Sequence, residues 1–517
     1  MNVAPLGLLS MPLLSGVPAQ RAQASSGQLL TACRLAWENG GRLVALWASD
    51  ERDRGRGYCL RVVLEDWEGL TVLEHTLPDD RARYPDLSPI FPAALRMQRA
   101  TYDLVGIAAE CDDRRPWLWT ASHASPQFPL RRDFASNTAT PDHDAYAFVR
   151  VEGEGVHEIP VGPVHAGIIE PGHFRFQVVG EKVLRLEERL GYTHKGVEKR
   201  FESMSVDDGA RLVGRISGDS TVAYAWAYAQ AVESAVGFVP PARARWLRAL
   251  CLERERLANH LGDIGAIGND AGFAFGLAQF SRLREDVLRT NLAAFSHRLM
   301  MDVVVPGGVA HDIAFEHVHA MIDEADRSAR QIAVLRDIYD EHAGVQDRFR
   351  RCGRAAPDLA RHLGLVGLAG RASGQARDIR CDFPSAPYDL LEVRMATQTA
   401  GDVWARVAVR FDEALESTRL IRVIATALLD PATAGPVHAP GPALPPDRLS
   451  LGYVEGWRGP VLVALEMGDD ERIRRCRPQD PSWCNWPVIE HAIIGNIVPD
   501  FPLINKSFNL SYSGHDL

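Results

Sequence analysis

The chain has 517 residues, with 57 Lys and Arg against 67 Asp and Glu, a formal charge of −10, 46% hydrophobic residues and 24% charged ones. That is a globular composition, with material for a sizeable core and too much chain for one ordinary domain. No stretch reaches the ~18 continuous apolar residues of a membrane span, and no long basic block supports a nucleic-acid partner.

The N-terminus, residues 1–27, is apolar but short and broken by Pro and Gly. It lacks a positive n-region, so a flexible arm is expected there in place of a secretory signal. Residues 28–134 form the first unit. A helix begins at QLLTACRLAWE and is stopped by Gly40 and Gly41. RLVALWA and LRVVLED read as strands joined by an Arg- and Gly-rich turn. The prolines of YPDLSPIFPAAL delay the next helix until about Ala93, and it runs toward Gly106. A polar linker spans 135–146.

The second unit, 147–517, opens with YAFVRVEGEG and HFRFQVVGEKVLRLEE, which read as antiparallel strands around a turn. Long amphipathic segments follow from about Ser205, and another helix covers DVWARVAVRFDEALESTRLIRVIATAL. A Pro-rich stretch, DPATAGPVHAPGPALPPDR, is expected as an exposed loop, and GYVEGWRGPVLVALEM as a hairpin-like pair. The tail, FPLINKSFNLSYSGHDL, is poor in charge and suits a segment tucked into the body.

The eight cysteines, Cys33, Cys59, Cys111, Cys251, Cys352, Cys381, Cys476 and Cys484, form no CxxC pair. The even count could suggest disulfides, but in a long chain without a convincing export signal reduced, mostly buried thiols are expected, and no metal site on this chain. GLVGLAGRASG, residues 364–374, is Gly-rich but lacks the strand-then-helix setting of a dinucleotide fingerprint.

Three segments carry more than periodicity: GPVHAGIIEPGHFRFQVVGEKVLRLEERLGYTHKGVEKRFE (162–202), RISGDSTVAYAWAYAQAVE (215–233) and NKSFNLSYSGHDL at the C-terminus. Together they resemble the large subunit of group 4 membrane-bound nickel–iron hydrogenases and the related forty-nine-kilodalton-type subunit of respiratory complex I, the NADH–quinone oxidoreductase. FPAALRMQRATYDLVGI (91–107) resembles the signature of the thirty-kilodalton-type domain that accompanies that subunit. The resemblance implies an α+β chain: a small domain of that thirty-kilodalton type, then a large, mainly helical hydrogenase-large-subunit-like domain with a β-hairpin region at its start.

The hydrogenase pattern places a CxxC pair after the first Arg and a second CxxC near the C-terminus. Here Ser217 and Ser220 stand at the first pair, Ser511 and Gly514 at the second. Nickel and iron in such a site need soft thiolates, and a serine hydroxyl stays protonated near neutral pH. Complex I has also lost the metal and uses the vacated cavity for quinone. Of its quinone-site histidines, His165 is matched after Gly162-Pro163-Val164, while Ile169 falls at the second position and His173 lies four residues further on. A histidine can donate a hydrogen bond and a proton to a quinone carbonyl near neutral pH; a structural turn role is the other reading of His165 and His173. Asp219, between the two serines, could relay protons or pair with Arg215. Ser217, Ser220 and Ser511 read as cavity-lining remnants, and Tyr224 and Tyr512 are the nearest phenols that could replace the complex I tyrosine. ERERLANH, residues 253–260, suits either a buried charge network under the cavity or a solvated helix face. Glu187, Glu188 and the run 112–115 read as surface.

The resemblance implies a peripheral-arm subunit of a membrane-associated, complex I-like oxidoreductase, on the cytoplasmic side of the inner membrane. It would pass electrons between a partner's iron–sulfur cluster and a quinone, coupled to ion translocation, with no cofactor of its own. The implied partners are an iron–sulfur small subunit of the twenty-kilodalton complex I type and membrane ion-translocating subunits. A non-catalytic scaffold or assembly subunit is the alternative, and an active hydrogenase the other, against which the missing thiols count.

Overall fold

The computed structural model describes residues 1, 3–79, 81, 83–118, 127–135, 138, 146–164 and 169–517. Its N-terminal unit is a five-stranded sheet in the order β1-β2-β5-β4-β3, built from β1 (Ser10–Pro12), β2 (Ala19–Gln23), β3 (Arg42–Asp50), β4 (Tyr58–Asp66) and β5 (Gly69–Leu77). Helix α1 (Ser26–Glu38) starts at a Ser25/Gln28 capping box, which satisfies the first free N–H groups. Helix α2 (Ala94–Val105) ends on Gly106, whose φ of 85° a side chain would resist. The short pair β6 (Arg83–Tyr84) and β7 (Ala108–Ala109) is parallel.

Residues 1–27 are not the flexible arm expected from their short, interrupted apolar pattern. β2 pairs in parallel with β5, and Met1, Val3, Leu8, Leu13 and Val17 are buried. Their apolar side chains do the sealing that the absence of regular periodicity conceals. The expected linker, 135–146, lies mostly outside the described residues.

The second unit starts with the antiparallel sheet β8 (Val156–Val161), β9 (His173–Val179) and β10 (Lys182–Arg189), so its first strand falls later than YAFVRVEGEG. Short helices α3 (Val197–Phe201) and α4 (Val206–Val213) lead to the central bundle: α5 (Thr221–Ala235), α6 (Ala242–Asp270), α7 (Ala274–Phe295) and α8 (Phe315–Glu341). A small β11 (Val304–Val305)/β12 (Gly308–Val309) ribbon lies between α7 and α8. Short helices α9 (Ala343–Phe349), α10 (Pro357–Leu363), α11 (Gly367–Arg371) and α12 (Ile379–Asp382) then connect to α13 (Val403–Leu429). The last sheet holds β13 (Leu449–Glu455), β14 (Pro460–Met467) and β15 (Ile473–Gln479), followed by α14 (Ser482–Ala492), α15 (Phe501–Phe508) and α16 (Tyr512–Asp516). β15, IRRCRPQ, has no apolar alternation to announce it. Its arginines are buried because Arg475 and Arg477 both pair with Glu198.

α5 is largely apolar and buried almost all round, its buried Gln230 and Glu233 being bound by the Tyr453 N–H and by Arg248. Its alanines let β13 approach closely: a Cβ on Gly452 would sit 1.7 Å from the Ala227 carbonyl oxygen. This fixes the N-terminus of α5 against the β13–β14 turn, where the candidate site lies. Val44, Trp47, Val63 and Val72 of the N-terminal sheet share a core with Leu451, Tyr453, Leu462 and Ala464 of the last one, so the two units pack sheet on sheet. The C-terminal tail is buried, as its composition suggests, with Leu517 1% exposed. No helix among the described residues is long and apolar enough to cross a membrane.

Candidate functional site

The turn before α5 brings Ser217, Asp219 and Ser220 to the β13–β14 turn and to the N-terminus of α16. Ser217 and Ser220 donate to Asp219 Oδ1 at 2.6 and 3.3 Å. Arg458 grips the same carboxylate with two N–H groups, at 2.9 Å to Oδ1 and 2.6 Å to Oδ2, and also donates to Ser220 Oγ at 3.3 Å. Ser511 Oγ donates to Ser217 Oγ at 3.5 Å and accepts from the Gly514 N–H at 2.8 Å. The two half-motifs, 294 residues apart in sequence, therefore meet in one place.

Tyr224, one helical turn beyond Ser220, donates to Asp480 Oδ2 at 2.7 Å. A Cβ on Gly514 would lie 2.5 Å from that same oxygen, so the Asp480 carboxylate occupies the space a side chain at 514 would need. Burial raises the Tyr224 phenol far above its ordinary range, and Asp480 adds to the effect. Burial would also raise Asp219, but the Arg458 charge and the hydrogen bonds from Arg458, Ser217 and Ser220 hold it below the usual carboxylate range. Asp219 does not pair with Arg215. That guanidinium turns outward to Asp302, at 2.6 and 2.7 Å, because the turn at Ser217 points the two side chains apart.

Glu255 on α6 caps α5 from a different helix. Its carboxyl accepts the Val222 and Ala223 N–H groups at 2.7 and 3.2 Å, in place of a side-chain cap from Ser220. Burial pushes this carboxyl up to about 8 against the pull of those two N–H groups. The rest of ERERLANH is interior. Arg256, Arg371 and His260 converge on Glu413 at 2.6, 2.8 and 3.1 Å, and Glu253 binds Arg380, Tyr388 and Ser417. The solvated-face reading of that helix is thus replaced by a buried network. Glu187 and Glu188 are likewise buried, not surface, because Arg115 and Arg96 neutralise them.

His165 lies outside the described residues. His173 opens β9 with its Nδ1 3.0 Å from the Gly162 carbonyl, its Nε2 accepting from Arg175 at 3.3 Å, and the Phe148 ring 5.1 Å away. Burial lowers its pKa, and none of these contacts is with the serine cluster. Tyr512 is separate from Tyr224. Its ring packs edge-on to Trp486 at 4.9 Å and against Gly172, where a Cβ would come within 2.7 Å. It helps line a cavity of about 440 Å³ with Ile169, Phe174, Leu277, Phe501 and Leu510, whose wall also carries Asp270, Lys506 and the amides of Asn269, Asn505 and Asn509. Phe508 does not fill that cavity; it lies beneath the Arg406 guanidinium at 4.0 Å. Segment 509–512 thus faces this largely apolar cavity on one side and presents Ser511 to the polar cluster on the other.

The residues do not fit a nickel–iron centre. The four positions supply three hydroxyls and a glycine, two of the hydroxyls touch each other, and a carboxylate stands where the fourth side chain would reach. Among the described residues no group of three or more His, Cys, Asp or Glu side chains is arranged for a metal ion. The eight cysteines are free and dispersed. Sequence reasoning missed Arg458 and Asp480. The Trp-Arg-Gly-Pro turn between two apolar strands is the signal for the first, since a charged residue in so apolar a hairpin needs a buried partner.

The chain fuses two units, and the model of a different subunit family matches each of them. Residues 22–140 match the family model of the respiratory-chain NADH dehydrogenase 30 kDa subunit, and residues 270–452 that of the 49 kDa subunit. The chain is 31% identical to formate hydrogenlyase subunit 5 of Escherichia coli K12, over 93% of this chain and 86% of that one. It is 30% identical to hydrogenase-4 component G of the same organism, over 93% and 85%. Its fold matches a chain of the membrane-bound sulfane sulfur reductase, an archaeal respiratory membrane complex, with TM-score 0.66 and 23% identity over 70% of this chain and 99% of that one. The chain belongs to the hydrogenase-4/complex I large-subunit family, with both of the matched subunit types in one polypeptide.

Proposed function

We propose that this chain is a peripheral-arm subunit of a membrane-associated, complex I-like oxidoreductase. In this reading it transfers electrons between the iron–sulfur cluster of a small partner subunit, of the twenty-kilodalton complex I type, and a quinone, coupled to ion translocation by membrane subunits. The observation that carries the reading is the contact between the vacated four-cysteine position and a largely apolar cavity of about 440 Å³ through segment 509–512. A quinone needs both: a polar end for its carbonyls and an apolar chamber for its tail.

Reduction of a quinone to the hydroquinone consumes two electrons, from the partner's cluster, and two protons. The hydroxyls of Ser217, Ser511 and Tyr224 already donate to Asp219, Ser217 and Asp480, so a quinone carbonyl would receive a hydrogen bond from one of them in exchange for that contact, and Arg458, paired with Asp219, would stabilise negative charge developing there. Asp219 is held ionised and so acts as an acceptor. Glu255, at about 8, carries a proton at neutral pH and sits beside the backbone that follows Ser220.

The scaffold reading is favoured by one observation: Ser217 and Ser511 touch at 3.5 Å and Arg458 is already paired, so the polar end is closed on itself. A photoreactive quinone analogue applied to the assembled complex separates the two. Crosslinks to peptides containing 266–277 or 501–512, competed by unlabelled quinone, support the quinone site. Labelling confined to other subunits, with wild-type turnover in Ser217→Ala/Ser511→Ala, establishes the scaffold.

A further inference from the structure

The N-terminal unit holds a cavity of about 500 Å³ beside β6, β7 and the end of α2. It is lined by Arg81, Arg83, Arg99, Arg114, Arg115 and Arg131, against two carboxylates, Asp103 and Asp113. In a chain of net charge −10, six guanidiniums around one hollow are a concentrated positive field.

Both carboxylates are already committed. Asp113 takes a two-pronged contact from Arg115, at 2.9 and 2.6 Å, and Asp103 accepts the Trp117 and Leu118 N–H groups at 2.6 and 2.8 Å. Among the described residues, Arg81, Arg83 and Arg114 make no ion pair, and all three are exposed. Arg99 is the buried member, its side chain 9% exposed, with its Nη1 no closer than 3.9 Å to Asp113. Its Nε and Nη2 are anchored on the carbonyls of Arg115 and Pro116 at 2.7 and 3.0 Å. Nη2 also donates to the Tyr146 hydroxyl at 3.3 Å, so the guanidinium is fixed in orientation, and among the described residues Asp113 is the acidic group that its Nη1 faces. Arg131 is held by the Val105 carbonyl at 2.8 Å and stacks over Phe128 at 4.2 Å. The Phe128 ring meets Tyr102 edge-on at 5.8 Å.

We propose that this cavity is a binding site for a small polyanion carrying two or more phosphate groups, of nucleoside diphosphate size. The volume fits that class. Fixed planar guanidiniums suit phosphate oxygens better than flexible ammoniums do. The site is remote from the serine cluster and does not depend on the quinone reading.

Calorimetric titration of the full chain with inorganic pyrophosphate, ADP and orthophosphate tests it. Pyrophosphate and ADP should bind saturably with Kd below about 1 mM at low salt, orthophosphate more weakly, with affinity falling steeply as salt is raised. ADP tighter than pyrophosphate identifies a nucleotide; equal affinity identifies an inorganic polyphosphate. Arg83→Glu/Arg114→Glu alters two exposed side chains, so its circular dichroism should be unchanged while affinity falls at least about tenfold. The proposal is overturned if no anion saturates, or if the double variant binds as the wild type does. It is also overturned if small anions fail to bind while the variant loses a partner subunit, which would make the hollow a dock for an acidic protein segment.

Discussion

Arg458 holds Asp219 by two hydrogen bonds of 2.6 and 2.9 Å at the position where the hydrogenase pattern would put a metal. The guanidinium is 6% exposed and the carboxylate 33%, so water relieves the acid more than the base. Asp219→Asn would remove the hydrogen-bonded counter-charge of Arg458, leaving Asp480 and Asp263 as the remaining acids near it, and should lower stability by about 2 kcal/mol, less than for a fully buried pair. A double-mutant cycle with Arg458→Met measures the coupling; additivity would show that the pair contributes nothing. Quinone-dependent turnover of the assembled complex should fall at least about tenfold in Arg458→Met, read separately from assembly.

Glu255 gives stability a pH dependence of unusual sign. A carboxyl raised from its ordinary value to about 8 binds a proton in the folded chain that the unfolded chain has released. Its contribution is full below the unfolded pKa near 4.5 and is lost as pH rises toward 8, on the order of a few kcal/mol. Urea unfolding at pH 5, 6, 7 and 8 should show wild type losing stability with pH relative to Glu255→Gln, which keeps a neutral acceptor at the α5 N–H groups. Parallel pH profiles would refute the protonated cap.

Gly367, at φ +64°, packs against the β13–β14 turn so closely that a Cβ would lie 1.8 Å from the Arg458 carbonyl oxygen. Gly367→Ala meets both backbone strain and a clash with main chain, and should cost more than about 2 kcal/mol. A melting temperature within a degree of wild type would contradict this packing.

Glu413 is the shared anion for Arg256, Arg371 and His260. The arginines outweigh burial and hold it well below the usual carboxylate range. Glu413→Gln keeps the shape and removes the charge from two fully buried guanidiniums, a loss of about 3–5 kcal/mol. Expression as a soluble, cooperative folder with unchanged urea midpoint would show that the network is not held by charge.

The sequence alone determined the fold class and most helices, because α2, α6, α8 and α13 are long and periodic and are closed by local signals such as Gly106. It also determined that the four thiols are absent, since that is a statement about residue identity. What it does not supply is which side chains meet. Arg215, two residues from Ser217, is the near partner for Asp219 along the chain, yet Arg458 is the real one. The Cα trace turns at Ser217, and only the packing of α5 on β13 decides what lies opposite. Residues 1–27 and β15 are invisible for a related reason. Their strands are fixed by pairing and by Glu198, not by alternation. The six arginines of the N-terminal hollow make the same point. Scattered between 81 and 131, they form no basic run, and a loop, a helix and two short strands bring them together. Local periodicity reports a residue's relation to its own helix or strand; the electrostatics of a site depend on neighbours distant in sequence, which the tertiary fold alone selects.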